Sequence, residues 1–165
     1  MPEKRTVEAA RKDKRAGKAA STQAGEFVRE EMHHIRAGKH GARSAKQAIA
    51  IGLSKARRAG VKLEVPSAKK TSANTRRKAA ADTARGSSPG RPVSRTRSRA
   101  TTTALKREGR AAASKPALAR QAKSAAKKRG ASARSAAARK AVRTKGAAGR
   151  KAAAQKAVRT RKRSR

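Results

Sequence analysis

The chain has 165 residues, with 48 Lys and Arg against 9 Asp and Glu, a formal net charge of +39, one Phe, and no Cys, Trp or Tyr. Such a charge opposes a compact body and calls for a polyanionic partner, while the missing residue types exclude disulfides, thiolate metal centres and aromatic platforms for single-stranded bases. Too few Leu, Phe or Trp are present for an interfacial membrane anchor, and no apolar run suits a spanning or signal segment, so a soluble cytoplasmic protein without membrane insertion is expected.

Along the first 65 residues, Arg15-Ala16-Gly17-Lys18, Arg36-Ala37-Gly38-Lys39 and Arg58-Ala59-Gly60 recur, each behind a helix-like stretch. Gly just past a basic last turn is a helix stop, so three helices are predicted. The first runs from about Thr6 to Ala16, with Val7 and Ala10 as its burial positions. A second follows Ser21 or Thr22 as cap, with Ala24, Phe27, Val28, Met32 and Ile35 on its apolar side. The third starts at Ser44, a good N-cap, and lines up Ala45, Ala48, Ile49, Gly52, Leu53 and Ala56. Those small residues favour a close approach by another helix. Val61-Lys62-Leu63-Glu64-Val65 alternates like a short strand or an extended packing arm, and Pro66 closes the module.

Beyond Val65 the character changes. Residues 66–165 contain 32 Lys and Arg, 28 Ala and only 2 acidic residues. Their bulky apolar side chains are Val93, Leu105, Leu118, Val142 and Val158, too few to offset ordering costs of roughly 1–2 kcal/mol per residue. The fold class expected is therefore a small all-α module of two or three short helices (residues 1–65) plus a long intrinsically disordered basic tail (66–165). The first part of the tail, to about Thr103, is rich in Ser, Thr, Pro and Gly, including the runs Gly86 to Pro92 and Ser94 to Arg99, and reads as an extended linker. Lys140-Ala141-Val142-Arg143-Thr144 returns as Lys156-Ala157-Val158-Arg159-Thr160, and short helices are expected there once phosphate relieves the repulsion. A core of about eleven bulky residues is marginal, which suggests self-association or a protein partner through residues 22–65.

The run from Ser21 to Leu63 resembles a family of short basic bacterial proteins of unknown function, a resemblance that transfers no activity. The tail is similar in composition to the Ala/Lys-rich arms of bacterial linker-histone-like proteins.

Functional residues follow from charge. The nucleic-acid-binding set comprises Arg76, Arg77, Lys78, Arg95, Arg97, Arg99, Lys127, Lys128, Arg129, Arg139, Lys140, Arg143, Arg159, Arg161, Lys162 and Arg163. Lys and Arg gain phosphate affinity by releasing counterions, and a solvated linker needs far less charge than this. Arg43, Lys46 and Gln47 suggest a helix-turn-helix, but the connection before them is longer than usual, so a helical hairpin is favoured. Glu30 and His33 form one Glu-x-x-His pair, where a carboxylate-bridged metal bundle needs two pairs and two further glutamates, so no metal or cofactor is assigned. No phosphate loop, nucleophile elbow or His-Glu-x-x-His motif occurs, and the chain is not expected to be an enzyme. The composite expectation is a nucleoid-associated, histone-like protein that binds and compacts DNA without reading sequence. An RNA- or ribosome-associated protein, or an interaction module localised by a basic tail, are the alternatives.

Overall fold

Three helices of the first sixty residues end on the same local structure. At Gly17, Gly38 and Gly60 the backbone enters the left-handed region, with φ of 67°, 76° and 86°, which glycine adopts without a Cβ clash. The next N–H then reaches back five residues: Lys18 to the Asp13 carbonyl, Lys39 to His34 and Val61 to Ala56, each at 3.0 Å. This Schellman arrangement terminates α1 (Lys4–Arg15), α2 (Ala20–Arg36) and α3 (Ala45–Arg58). Ser44 caps α3 by accepting from the Gln47 N–H. The cap expected for α2 is not used: Ala19 is its N-cap residue, and Ser21 and Thr22 lie inside the first turn.

The computed structural model describes residues 2–68, 71–87 and 94–163. After α3, residues 61–67 run without regular structure, and among the described residues no strand forms, so the extended arm replaces the strand alternative. Then follow α4 (Ala73–Ser87), α5 (Arg95–Lys106), a 3-10 turn η1 (Ala111–Ala113), α6 (Lys115–Lys128) and α7 (Gly130–Arg163). α7 is broken at Gly146, where φ is 63° and ψ −179°. The chain divides into two units, Met1–Gln121 and Ala122–Arg165. Among the described residues no helix is long and apolar enough to cross a membrane.

These helices overturn the expected disordered tail. An all-α fold stands; the boundary of order at Val65 and the intrinsic disorder beyond it do not. Ser88 to Val93, part of the expected linker, lie outside the described residues. The physical reason has two parts. Helices satisfy their own backbone locally, and Ala, Lys and Arg lose little entropy in doing so. Counting bulky side chains also misses packing by alanine. Ala79, Ala112 and Ala113 are 7%, 6% and 0% exposed, and the two in η1 belong to a core cluster with Met32, Ile35, Ala42 and Ala48. Leu118 of α6 packs on that cluster.

A second cluster joins Ala10, Ala24, Phe27, Ala56 and Val61, so α2 contributes to both. α2 and α3 approach at Gly52, where a Cβ would lie 2.7 Å from the Val28 Cα, as the small residues of that stripe anticipated. Two further close approaches fix the later chain. A Cβ on Gly41 would overlap the Glu108 carbonyl, and one on Gly86 would overlap the Arg57 carbonyl. Hydrogen bonds follow the same seams: Gly41 N–H to Leu105 O (2.9 Å), Ala42 N–H to Gly109 O (3.1 Å) and Arg36 Nε to Ala113 O (2.9 Å). On α4, Asp82 accepts from Ser54 Oγ at 2.5 Å and lies 3.5 Å from Arg58 Nε. Described residues of α4, Leu105, Gly109, η1 and Leu118 thus lie against the three-helix core.

Candidate nucleic-acid interface

Each cation singled out in the sequence lies on, or at the end of, a helix. On α4, Arg77 and Lys78 are exposed, while Arg76 is half-buried and donates through Nη1 to the Thr71 carbonyl at 3.1 Å. α5 begins at Ser94, whose hydroxyl accepts from the Arg97 N–H, and carries Arg95, Arg97 and Arg99 exposed. Lys127 and Lys128 close α6, with Arg129 in the turn beyond. Arg139, Lys140, Arg143, Arg159, Arg161, Lys162 and Arg163 stand exposed along α7, which buries no residue.

The helices give this charge a spacing that the sequence runs did not. Gly146 falls between the two Lys-Ala-Val-Arg-Thr copies, leaving helical segments on either side. In each copy the Thr hydroxyl donates to the carbonyl four residues back, Thr144 to Lys140 and Thr160 to Lys156, both at 2.9 Å. Residues 147–163 rise about 25 Å at about 1.5 Å per residue. They carry seven cations, Arg150, Lys151, Lys156, Arg159, Arg161, Lys162 and Arg163. That is one charge per roughly 3.6 Å of helix, against roughly 3.4 Å per phosphate along one DNA strand. Arg150, Lys151 and Lys156 were not singled out in the sequence; the helix places them on the same segment as Arg159, Arg161, Lys162 and Arg163.

Little opposes this field. The unit Ala122–Arg165 contains seventeen Lys and Arg and no acidic residue. Setting Arg161 aside, no cation beyond Arg58 is ion-paired among the described residues. Glu3, Asp13, Glu26, Glu30, Glu31 and Asp82 are instead engaged inside the first unit. Asp13 pairs with Lys18 at 2.6 Å and Glu26 with Arg29 at 3.0 Å, while Glu30 lies 3.8 Å from His34. The Glu26 and Glu30 pairs have the i,i+3 and i,i+4 spacing of neighbours on one helix face.

Glu3 shows how strongly such a carboxylate is held. It accepts from His34 Nε2 at 2.8 Å and from Lys39 Nζ at 3.1 Å. These hydrogen bonds, His34 first, lower its pKa from 4.5 to about 2, aided by the charges of Arg5 and Lys39. The ionised form is thus favoured by folding, and its stabilisation is complete above the ordinary carboxylate range and fades as pH falls toward about 2. Glu3→Gln should therefore lower the urea midpoint by a constant amount above pH 4.5, and the gap should close near pH 2. A gap that persists at the acid end would show that the charge of Glu3 is not its cause.

The α2–α3 connection supports the hairpin over a base-reading motif. Gln47 turns its Oε1 back to accept from the Arg43 N–H at 2.8 Å, while its own N–H goes to Ser44 Oγ. Its side chain is therefore spent on capping α3. The turn itself, at Gly41 and Ala42, is covered by Leu105 and Gly109. Beside it a cleft of about 520 Å³ is lined by Gly38, Lys39, His40, Gly41, Lys106, Glu108, Gly109 and Arg110. Lys106 and Arg110 stand exposed at its edge.

Residues 11–70 match a family of unknown function (DUF6496). The matched region spans α2 and α3 with their flanks, the stretch whose sequence carried the resemblance to short basic bacterial proteins. No curated protein and no solved structure matches the chain.

Proposed function

We propose that the protein binds nucleic acid through its phosphates without reading base sequence, with duplex DNA preferred over RNA, and that it bends and compacts the duplex it coats. The observation that carries this reading is the unit Ala122–Arg165, a helical segment with seventeen cations, no carboxylate and no buried residue on α7. Cations at nearly phosphate spacing displace condensed counterions, and that entropy gain is indifferent to sequence. The chemistry is that of the Ala/Lys-rich arms of linker-histone-like proteins, carried here on helices. Duplex is favoured because the single aromatic residue, Phe27, is fully buried and no stacking surface is offered to unpaired bases.

Fluorescence anisotropy with duplexes of unrelated sequence tests this directly. Affinities should agree within a few-fold at fixed salt. A spread of tenfold or more, which a single base contact worth about 1–3 kcal/mol produces, would overturn the reading. Tighter binding to single-stranded RNA than to any duplex would overturn the preference for DNA.

A further inference from the structure

Three side chains of the first unit converge on a point that the charge argument does not use. Glu31 and His34 are one helical turn apart on α2, and the left-handed turn at Gly38 brings His40 back to them. One donor atom from each lies within 4.8 Å of the other two. The Glu-x-x-His pair noticed in the sequence, Glu30 with His33, is out of phase: His33 is exposed, and the buried pair is shifted by one residue. The signal was present, since Glu31 sits on the α2 stripe between Phe27 and Ile35, four residues from each.

The Glu31 side chain is 0% exposed. Its Oε2 lies 2.6 Å from Lys55 Nζ and its Oε1 3.3 Å from His40 Nε2. Neither oxygen has hydrogen-bond geometry to a donor, so these contacts are short without being directional. The tautomer of His40 sharpens the point. Its Nδ1 lies 3.0 Å from the Gly41 carbonyl, which can only accept, so Nδ1 carries the proton. In the neutral ring Nε2 then turns a lone pair toward a carboxylate oxygen in a dry setting, which repels unless a cation stands between them. His34 is held in the manner of a ligating imidazole, its Nε2–H donating to the Glu3 carboxylate at 2.8 Å.

We propose that Glu31, His34 and His40 form a binding site for a divalent transition metal of the zinc type. Two imidazoles and one carboxylate suit zinc, whereas magnesium and calcium favour all-oxygen sets. Lys55 is the resident counter-charge. It also lies 3.8 Å from Glu30, so its ammonium can pass to that neighbour when Glu31 turns to a metal. The ion would fasten α2 to the 38–41 turn, the same turn whose Gly41 N–H bonds to Leu105. With three protein ligands the fourth position falls to water, and the site is independent of the phosphate-binding reading.

The test uses the untagged full-length protein, stripped with a chelator and titrated with zinc against a chromophoric competitor. Cobalt serves as a spectroscopic substitute. One equivalent should bind, cobalt should give the intense visible bands of a four-coordinate site, and zinc should raise the melting temperature. His40→Ala should weaken zinc binding by more than about 100-fold, beyond what outer partners of a ligand are worth. His33→Ala should leave it unchanged, and Lys55→Gln should tighten it by removing the competing ammonium. Circular dichroism establishes that each variant is folded, and the cobalt spectrum of the unaltered protein decides the matter even where one is not. Absence of stoichiometric binding, a weak six-coordinate cobalt spectrum, or equal losses in His33→Ala and His40→Ala would each overturn the proposal.

Discussion

Between 50 and 200 mM salt, the affinity of the full-length protein for duplex DNA should fall by roughly five orders of magnitude, the consequence of a log–log slope near −9 when about ten cations engage phosphates. The unit Ala122–Arg165 supplies most of those cations, seventeen Lys and Arg with no acidic residue to internally neutralise them. A chain ending at Gln121 should therefore lose most of the slope. Cutting there keeps Ala112, Ala113 and Leu118 on the first core cluster, so the comparison is not confounded by unfolding. A full-length variant with Arg139, Lys140, Arg143, Arg159, Arg161, Lys162 and Arg163 all changed to Gln should flatten the slope by up to about 6, at about 0.9 per phosphate contact. Arg43→Ala should barely register. A shortened chain that keeps the full slope, or that binds one duplex tightly and loses it with Arg43→Ala, would refute the assignment.

Ala113→Asp should produce a large loss of stability. Ala113 is 0% exposed, packed in the cluster with Met32, Ile35, Ala42 and Ala48, and its carbonyl already accepts from Arg36 Nε. An aspartate there is either buried without a partner or expelled together with η1. Either course costs at least about 4 kcal/mol, a large part of the total stability of about 5–15 kcal/mol that a domain has. Amide exchange separates this from a local effect. The N–H groups of Gly41 and Ala42 donate to Leu105 and Gly109, so both should be protected in the unaltered protein and lose protection in the variant. Unchanged stability and unchanged protection at those two amides would mean that residues 1–65 fold without residues 105–118.

Much of residues 1–65 is legible in the sequence because its cues are local. Arg-Ala-Gly at three places dictates three helix stops, since a left-handed residue and a Schellman bond need only a glycine and the preceding turn. Ser44 as a cap, and the apolar stripes of α2 and α3, follow from the same short range. The cationic field is legible too, because charge adds up whatever the fold. What could not be read was which surface each stripe meets. Ala112 and Ala113 look like spacers until the Arg36 side chain and the 41–42 turn close on them. Gly41 and Gly86 look like loop glycines until the Glu108 and Arg57 carbonyls are found where a Cβ would stand.

The sequence by itself determined the three helices of residues 1–65, their stops, and a net charge of +39. Tertiary structure alone decided that order continues past Val65, and that His34, not His33, turns inward beside Glu31 and His40. The reason is one of range. Backbone propensity and net charge are sums over neighbours in the chain, whereas burial of a small residue or a carboxylate depends on what arrives from far along it. A phase difference of one residue on a helix turns a side chain by about 100°, and packing against the rest of the fold is what selects the phase.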